Sequence, residues 1–163
     1  MSLPEVLIVL AIVATITGIA VPQMLAGLQG YRTRSAGRQV AAVIRSARLA
    51  AVTTNRNILV RFNCPGPRQY RFVEFTGNAA IDNAADRCSA PYPDADPANL
   101  PNNDGPPAYL PETMSFGAVQ DLRIGTTGLI TPLTGGMPAL IQVTDGAITR
   151  QITVSAAGRV QVQ

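Results

Sequence analysis

Residues 6–31 carry no charged side chain, and one carboxylate, Glu5, stands immediately before them. The run from Val6 to Tyr31 is 26 residues long. A helix needs only about 20 residues to cross a bilayer, so this stretch reads as a membrane-length helix. An ordinary signal peptide places basic residues before its apolar core and a small-x-small cleavage site after it. Here the sequence opens Met-Ser-Leu-Pro-Glu, and neither flank fits. The segment is therefore expected either to be already processed or to anchor the protein as it stands.

Glu5 is the unusual residue. A carboxylate at the mouth of an apolar helix is costly if unpaired, most of all near the bilayer centre. One reading is local: Ser2 as N-cap, Pro4 in the first turn, and Glu5 three residues after the Ser as a capping box favoured by the helix dipole. The other is intermolecular: in a helical stack, the free α-amino group of a neighbouring subunit supplies the missing cation.

Beyond the run, charge is unevenly distributed. All 13 basic residues are Arg, and the chain has neither His nor Trp. Nine Arg and no acid fall between Val6 and Val73, whereas nine of the ten acids follow from Glu74 onward against four Arg. Such asymmetry suits head-to-tail association of like subunits, or an anionic partner for the front half.

Residues 31–54 read as a continuation of the helix. Ala36, Val40, Val43, Ile44, Ala47 and Ala51 recur at helical spacing and form an apolar face. Arg34, Arg38, Arg45, Arg48 and Arg56 fall within roughly 80° of one another on a different face. A helix over 1–54 would be about 80 Å long. The arginine stripe has three readings: a solvated face, a contact for acidic loops of neighbouring subunits, or a binder of nucleic-acid phosphates, for which guanidinium is the better fork. Aromatic residues are 5% of the chain and do not interleave with these arginines, so base stacking has little support.

Strand candidates follow at 57–63 and 69–75, flanking a Cys-Pro-Gly-Pro turn, then at 121–125, 139–144, 147–154 and 158–162. Asp145-Gly146 is a two-residue hairpin signal. The pattern predicts an α+β head, one long helix against an antiparallel sheet. Between Thr76 and Glu112 seven prolines (91, 93, 97, 101, 106, 107, 111) are expected to exclude regular structure. Such a long loop is expected on the exterior, and functional. Asp94, Asp96 and Asp104 in it are candidate calcium ligands, but no twelve-residue calcium-loop pattern is present. Cys64 and Cys88, with no His, cannot build the usual zinc set. In an exported chain a disulfide closing that loop adds about 3 kcal/mol; the alternative is two free thiols.

Met1-Ser-Leu-Pro-Glu5-Val-Leu-Ile-Val-Leu-Ala-Ile12 resembles the processed N-terminus of type IV pilins and type II secretion pseudopilins. Their pattern is a hydrophobic first residue, Glu at position 5 and a long aliphatic run; Met1 replaces the commoner Phe. The order of elements, with Arg-Ser-Ala-Arg-Leu-Ala-Ala late in the helix and a C-terminal Val-Ser-Ala-Ala-Gly-Arg-Val hairpin, is similar to the GspH/FimT-type minor pilins and pseudopilins. The likeness is strong over 1–60, weaker over 139–163 and absent from the loop.

The resemblance implies a hydrophobic transmembrane and filament-core helix over 1–30 and a globular pilin head over 31–163. It implies cleavage by prepilin peptidase before Met1, N-methylation of Met1, and Glu5 neutralising a neighbour's N-terminus during assembly. Pro22 falls where many pilins have a helix-bending proline. With Gly18 it is expected to weaken the helix over 15–22 in the filament. The implied partners are other pilin subunits in a homo- or hetero-polymer, the inner membrane before assembly, the assembly machinery and, in some relatives, DNA taken up for transformation. The expected destination is an extracellular filament.

Catalysis is not expected. Without His the usual nucleophile–base pairs cannot form, without Lys there is no phosphate-binding G-x-x-x-x-G-K loop, and the acids read as scattered. No cofactor is expected either.

Overall fold

The structure, a computed structural model, describes residues 2–84, 87–89 and 103–163, and for Pro22, Leu25 and Ala26 the backbone alone. Met1, Asp86, Asp94, Asp96 and the prolines at 91, 93, 97 and 101 lie outside the described residues. The chain divides into two compact units, Met1–Arg32 and Thr33–Gln163. Helix α1 spans Leu3–Thr54.

In the first unit, α1 has the length and composition to cross a bilayer over Leu3–Val21, and none of that stretch is buried. The backbone stays helical through Gly18 and Pro22. The two hydroxyls in the stretch are satisfied within the helix: Thr15 Oγ1 donates to Ile12 O at 2.8 Å and Thr17 Oγ1 to Val13 O at 2.7 Å. An apolar solvent therefore meets no unpaired hydroxyl there.

In the second unit, Ala36, Val40, Ile44, Ala47 and Ala51 are fully buried, and Val43 is partly so. Their steps of four, four, three and four residues keep them on one stripe of a 3.6-residue helix. Alanines at 36, 47 and 51 flank Val40 and Ile44 on this stripe. The helix ends by backbone chemistry. Asn55 takes a left-handed conformation, φ 53°, and Arg56 N–H donates back to Ala51 O at 3.2 Å. That is the six-to-one closure of a Schellman cap, with Asn in the place usually taken by Gly.

The strands are antiparallel, as the α+β pattern predicts, and form two sheets. The first comprises β1 (Ile58–Phe62), β2 (Gln69–Glu74), β3 (Ala108–Tyr109), β5 (Leu122–Ile124) and β6 (Ile130–Pro132), in the order β3-β2-β1-β5-β6. The second, in the order β4-β7-β8-β9, comprises β4 (Ser115–Phe116), β7 (Ala139–Thr144), β8 (Thr149–Val154) and β9 (Val160–Val162). An aromatic cluster joins them: Phe116 of β4 stands edge-on to Phe62 of β1 and Tyr70 of β2, at centroid distances of 5.3 and 5.5 Å. Burial in this cluster pushes the Tyr70 hydroxyl up to about 12. Ile58, Val60, Leu122, Ile124, Ile141, Val143, Ile152 and Val154 complete the core.

Two expectations are corrected. Residues 76–112 are not devoid of regular structure. Helix α2 (Ala79–Asp82) begins at the Asn78 cap, ahead of the first of the seven prolines, and β3 follows Pro106 and Pro107. β3 is an edge strand of two residues, where neighbouring prolines remove no interior ladder bond. Nor is Asp145-Gly146 a two-residue turn. Thr144 pairs with Thr149, leaving a four-residue loop in which Asp145 Oδ1 accepts from Ala147 N at 3.0 Å and Ile148 N at 2.7 Å. A carboxylate that caps two amides favours the wider loop.

Candidate assembly and anion-binding surfaces

Glu5 sits in the first turn of α1. Its Oε2 accepts from Ser2 N–H at 3.2 Å, and its own N–H donates to Ser2 O at 3.1 Å. The carboxylate thus makes half of a capping box while remaining exposed. One backbone donor leaves most of its acceptor capacity open. Exposed Leu7, Ile8, Leu10 and Ile12 follow it along the helix.

The arginine stripe divides once side chains are placed. Arg34 and Arg38 are exposed. Arg45 is exposed as well, with Nη2 3.5 Å from Val160 O. Arg48 is half-buried: its Nε donates to Gly128 O at 3.1 Å, and it fills the space a Cβ on Gly158 would occupy, 2.7 Å from Nε. Both glycines have positive φ, 78° and 82°, in the β5–β6 and β8–β9 turns. Arg48 is therefore a bolt between two turns as well as a charge. Arg56 does not belong to the stripe. The Schellman closure ends the helix before it, and its Nε lies 3.8 Å from Glu74 Oε1. A helical wheel extended past residue 54 misplaces it for that reason.

Among the described residues, most acids of the back half are engaged within the head. Asp104 is nearly buried and is gripped by both Nη groups of Arg87, with Nη2 to Oδ1 at 2.6 Å. Arg71 Nη2 lies 3.8 Å from Asp104 Oδ2, and Glu74 N–H donates to Oδ1 at 2.8 Å. Arg71 also donates from Nε to Gly105 O at 3.1 Å and from Nη1 to Cys88 O at 3.0 Å. Burial lowers the Arg71 pKa most, Asp104 pulls it back up, and Arg87 lowers it further. Asp82 accepts from Thr76 N, Thr76 Oγ1 and Gly77 N, each at 2.9 Å. Asp121 pairs with Arg61 at 3.6 Å and accepts from Phe62 N at 3.0 Å. Backbone donors at Ile148 and Ala147 hold the Asp145 carboxyl below its ordinary range, and Thr33 Oγ1 adds a bond at 3.4 Å.

Acids that looked scattered along the sequence are thus paired in space. Among the described residues, Glu74, Asp82 and Asp104 turn inward, while Arg34, Arg38 and Arg45 are exposed. Of the three calcium candidates, Asp104 is committed to arginines, and Asp94 and Asp96 lie outside the described residues. Among the described residues no cluster of three or more metal-binding side chains occurs.

Cys64 and Cys88 form a disulfide with Cα atoms 5.3 Å apart. It joins the end of the β1–β2 hairpin to the segment that the Arg71 and Arg87 network also holds. Sequence reasoning missed Arg150. On β8, it lines a cavity of about 270 Å³ together with Arg34, Val162 and Gln163. No spacing signal links residues 34 and 150; only the packing of β8 and β9 beside α1 brings them together. A second cavity of about 260 Å³ is lined by Arg45, Arg48, Leu49 and Val52.

An exposed apolar helical segment with one carboxylate at its start, and a head in which the rest of that helix packs on antiparallel sheet, define the type IV pilin-like α+β fold of the GspH/FimT type. Among solved structures, the chain is similar to the type IV minor pilin FimU of Pseudomonas aeruginosa strain PAO1. That likeness covers 80% of this chain and 87% of FimU at 18% identity, with a TM-score of 0.50. A further match is the minor pseudopilin EpsH of the Vibrio cholerae type 2 secretion system, over 81% of this chain and 96% of that one, at 13% identity and a TM-score of 0.49. No protein-family profile and no curated protein sequence matches the chain.

Proposed function

We propose that this chain is a structural subunit of a type IV pilus-like filament, held in the inner membrane by residues 1–30 before assembly and carried to the cell surface in the polymer. The observation that supports this most is the fully exposed apolar face of Leu3–Val21 with Glu5 as its only charge. In the filament, Glu5 accepts the α-amino group of a neighbour's Met1, which prepilin peptidase exposes and N-methylation modifies. Bending near Pro22 accommodates the packed helices. An equivalent place in a type II secretion pseudopilus uses the same helix and the same carboxylate. No catalytic role is proposed.

The test is Glu5→Ala in the full chain. Loss of filaments with unchanged membrane insertion supports assembly. Normal filaments reject the role given to Glu5, and a wild-type protein that stays monomeric rejects assembly in favour of a membrane-anchored monomer.

A second reading, favoured by the outward-facing arginines, is that the head binds nucleic-acid phosphates, as a transformation pilin would. Arg34→Ala with Arg38→Ala should weaken duplex binding and reduce the salt slope by about one for each phosphate no longer engaged. Unchanged binding ends that reading. Arg48 is unsuitable for this test because its removal also frees two turns.

A further inference from the structure

We infer that Tyr31 and Arg32 hold the headgroup phosphate of an anionic phospholipid and so fix the depth of the subunit before assembly; the inference rests on reading residues 1–30 as a membrane span. Three observations support it. First, the spacing suits it. Arg32 is the first charged side chain after Glu5, and α1 is helical between them. At 1.5 Å per residue the two lie about 40 Å apart along the axis. A tilt of about 20° shortens that only to about 38 Å. The hydrocarbon of a bilayer is about 30 Å thick, and about 40–45 Å with its headgroup layers. With Glu5 at one headgroup layer, Arg32 reaches the other, where lipid phosphates lie.

Second, the residue types suit that layer. Tyr31 is 70% exposed, and Arg32 beside it is exposed as well. A tyrosine keeps its ring among acyl chains and its hydroxyl among headgroups, which is why it gathers at membrane interfaces. A guanidinium keeps its charge, presents a planar fork that matches two phosphate oxygens, and has a stem long enough to snorkel to them.

Third, the charge has no partner of its own. No acid occurs between Glu5 and Glu74. Among the described residues, the ion pairs take Arg56, Arg61, Arg71 and Arg87 rather than Arg32. An uncompensated cation favours a headgroup with net negative charge over a zwitterionic one, whose ammonium already answers its phosphate. Depth chooses the occupant. A nucleic-acid duplex does not enter a headgroup layer, whereas lipid surrounds an inserted helix there on every side. On the filament reading the head faces away from the cytoplasm, so this lipid belongs to the outer leaflet of the inner membrane.

The experiment uses the full chain and needs no filament. Insertion is checked first, by flotation with phosphatidylcholine vesicles through alkaline carbonate. A chain washed off by carbonate fails the span reading and the inference together. For an inserted chain the vesicles are made equimolar in phosphatidylcholine and phosphatidylglycerol. The protein is then extracted into maltoside micelles, which carry no phosphate, and the lipid it retains is counted by mass spectrometry. We expect phosphatidylglycerol to be retained over phosphatidylcholine by about fivefold.

Arg32→Gln should bring that ratio towards unity while flotation is unchanged, because the apolar run is untouched. Arg32→Lys, which keeps the charge without the fork, should fall between the two, and Tyr31→Ala should lower retention of both lipids. Equal retention of the two lipids by the inserted wild-type chain overturns the inference and leaves the span reading standing. So does a loss of preference with Arg159→Gln, an exposed arginine of the head, as large as that with Arg32→Gln, because it would mean a diffuse field. Displacement of the retained lipid by an equal concentration of glycerol phosphate overturns it in favour of a soluble phosphate ligand.

Discussion

Arg87 holds Asp104 through both of its Nη groups, and the two side chains are each only 5% exposed. The second arginine, Arg71, is more deeply buried still and depends on the same carboxylate. Breaking a buried pair by removing one partner strands a charge, which costs about 3–5 kcal/mol. Asp104→Ala removes the carboxylate that Arg87 grips and takes one ion-pair partner from Arg71. We expect it to destabilise the head by at least that range, read as a shift in the denaturant midpoint, with Asp104→Asn nearly as damaging. Arg56→Ala removes a pair in which the arginine is more than half exposed and should change the midpoint little.

Arg48 and Gly158 are expected to be coupled. Gly158→Ala places a methyl against Arg48 and forces a side chain into a φ of 82°. The strain and overlap together should cost about 1–3 kcal/mol. In an Arg48→Ala background the overlap is gone and only the backbone strain remains, so the second substitution should cost less than it does alone. A double-mutant cycle with additive effects would show that the two do not touch in solution.

Reducing the Cys64–Cys88 disulfide, or replacing both residues with Ser, reopens a loop of 24 residues' separation. The unfolded chain then gains conformational entropy worth about 3 kcal/mol. The β1–β2 hairpin itself should survive, because its register does not depend on the bond. Hydrogen exchange should therefore rise first in residues 76–84 and 87–89, and only later in β1 and β2. Simultaneous loss of protection throughout the head would contradict this.

Two groups set opposite limits to stability in pH. The folded Tyr70 hydroxyl titrates at about 12, above its ordinary value of 10.0. Its contribution is complete below pH 10 and is lost as pH rises from there through about 12. Tyr70→Phe should flatten that alkaline decline in the denaturant midpoint. Asp145 is shifted the other way, held down first by the Ile148 and Ala147 amides. Its contribution is present above the unfolded carboxylate value, about 4, and is lost as pH falls through its lower folded value. Asp145→Asn should remove that part of the acid dependence.

Much of this was legible in advance, for reasons that are local. The apolar run and Glu5 are contiguous, the buried stripe of α1 obeys a single period from Ala36 to Ala51, and β1, β2 and β7 have the composition and length of strands. Where the reading failed, a nonlocal or backbone cause intervened. Arg56 left its helical face because Asn55 turned left-handed. The Asp145 loop widened because its carboxylate found two amides. The proline-rich stretch acquired α2 and β3 because a cap and an edge were available at its two ends.

The sequence alone marked residues 6–31 as a run long and apolar enough to cross a membrane, because 26 consecutive residues carry no charge. It also determined the helix face that packs, because side-chain period is a property of the backbone. Only the tertiary structure decided which charges remain on the surface. Ion pairing depends on distance in space: Asp104 meets Arg71 and Arg87 across a loop and disappears from the exterior, while Arg34 and Arg150, 116 positions apart, are left facing one cavity.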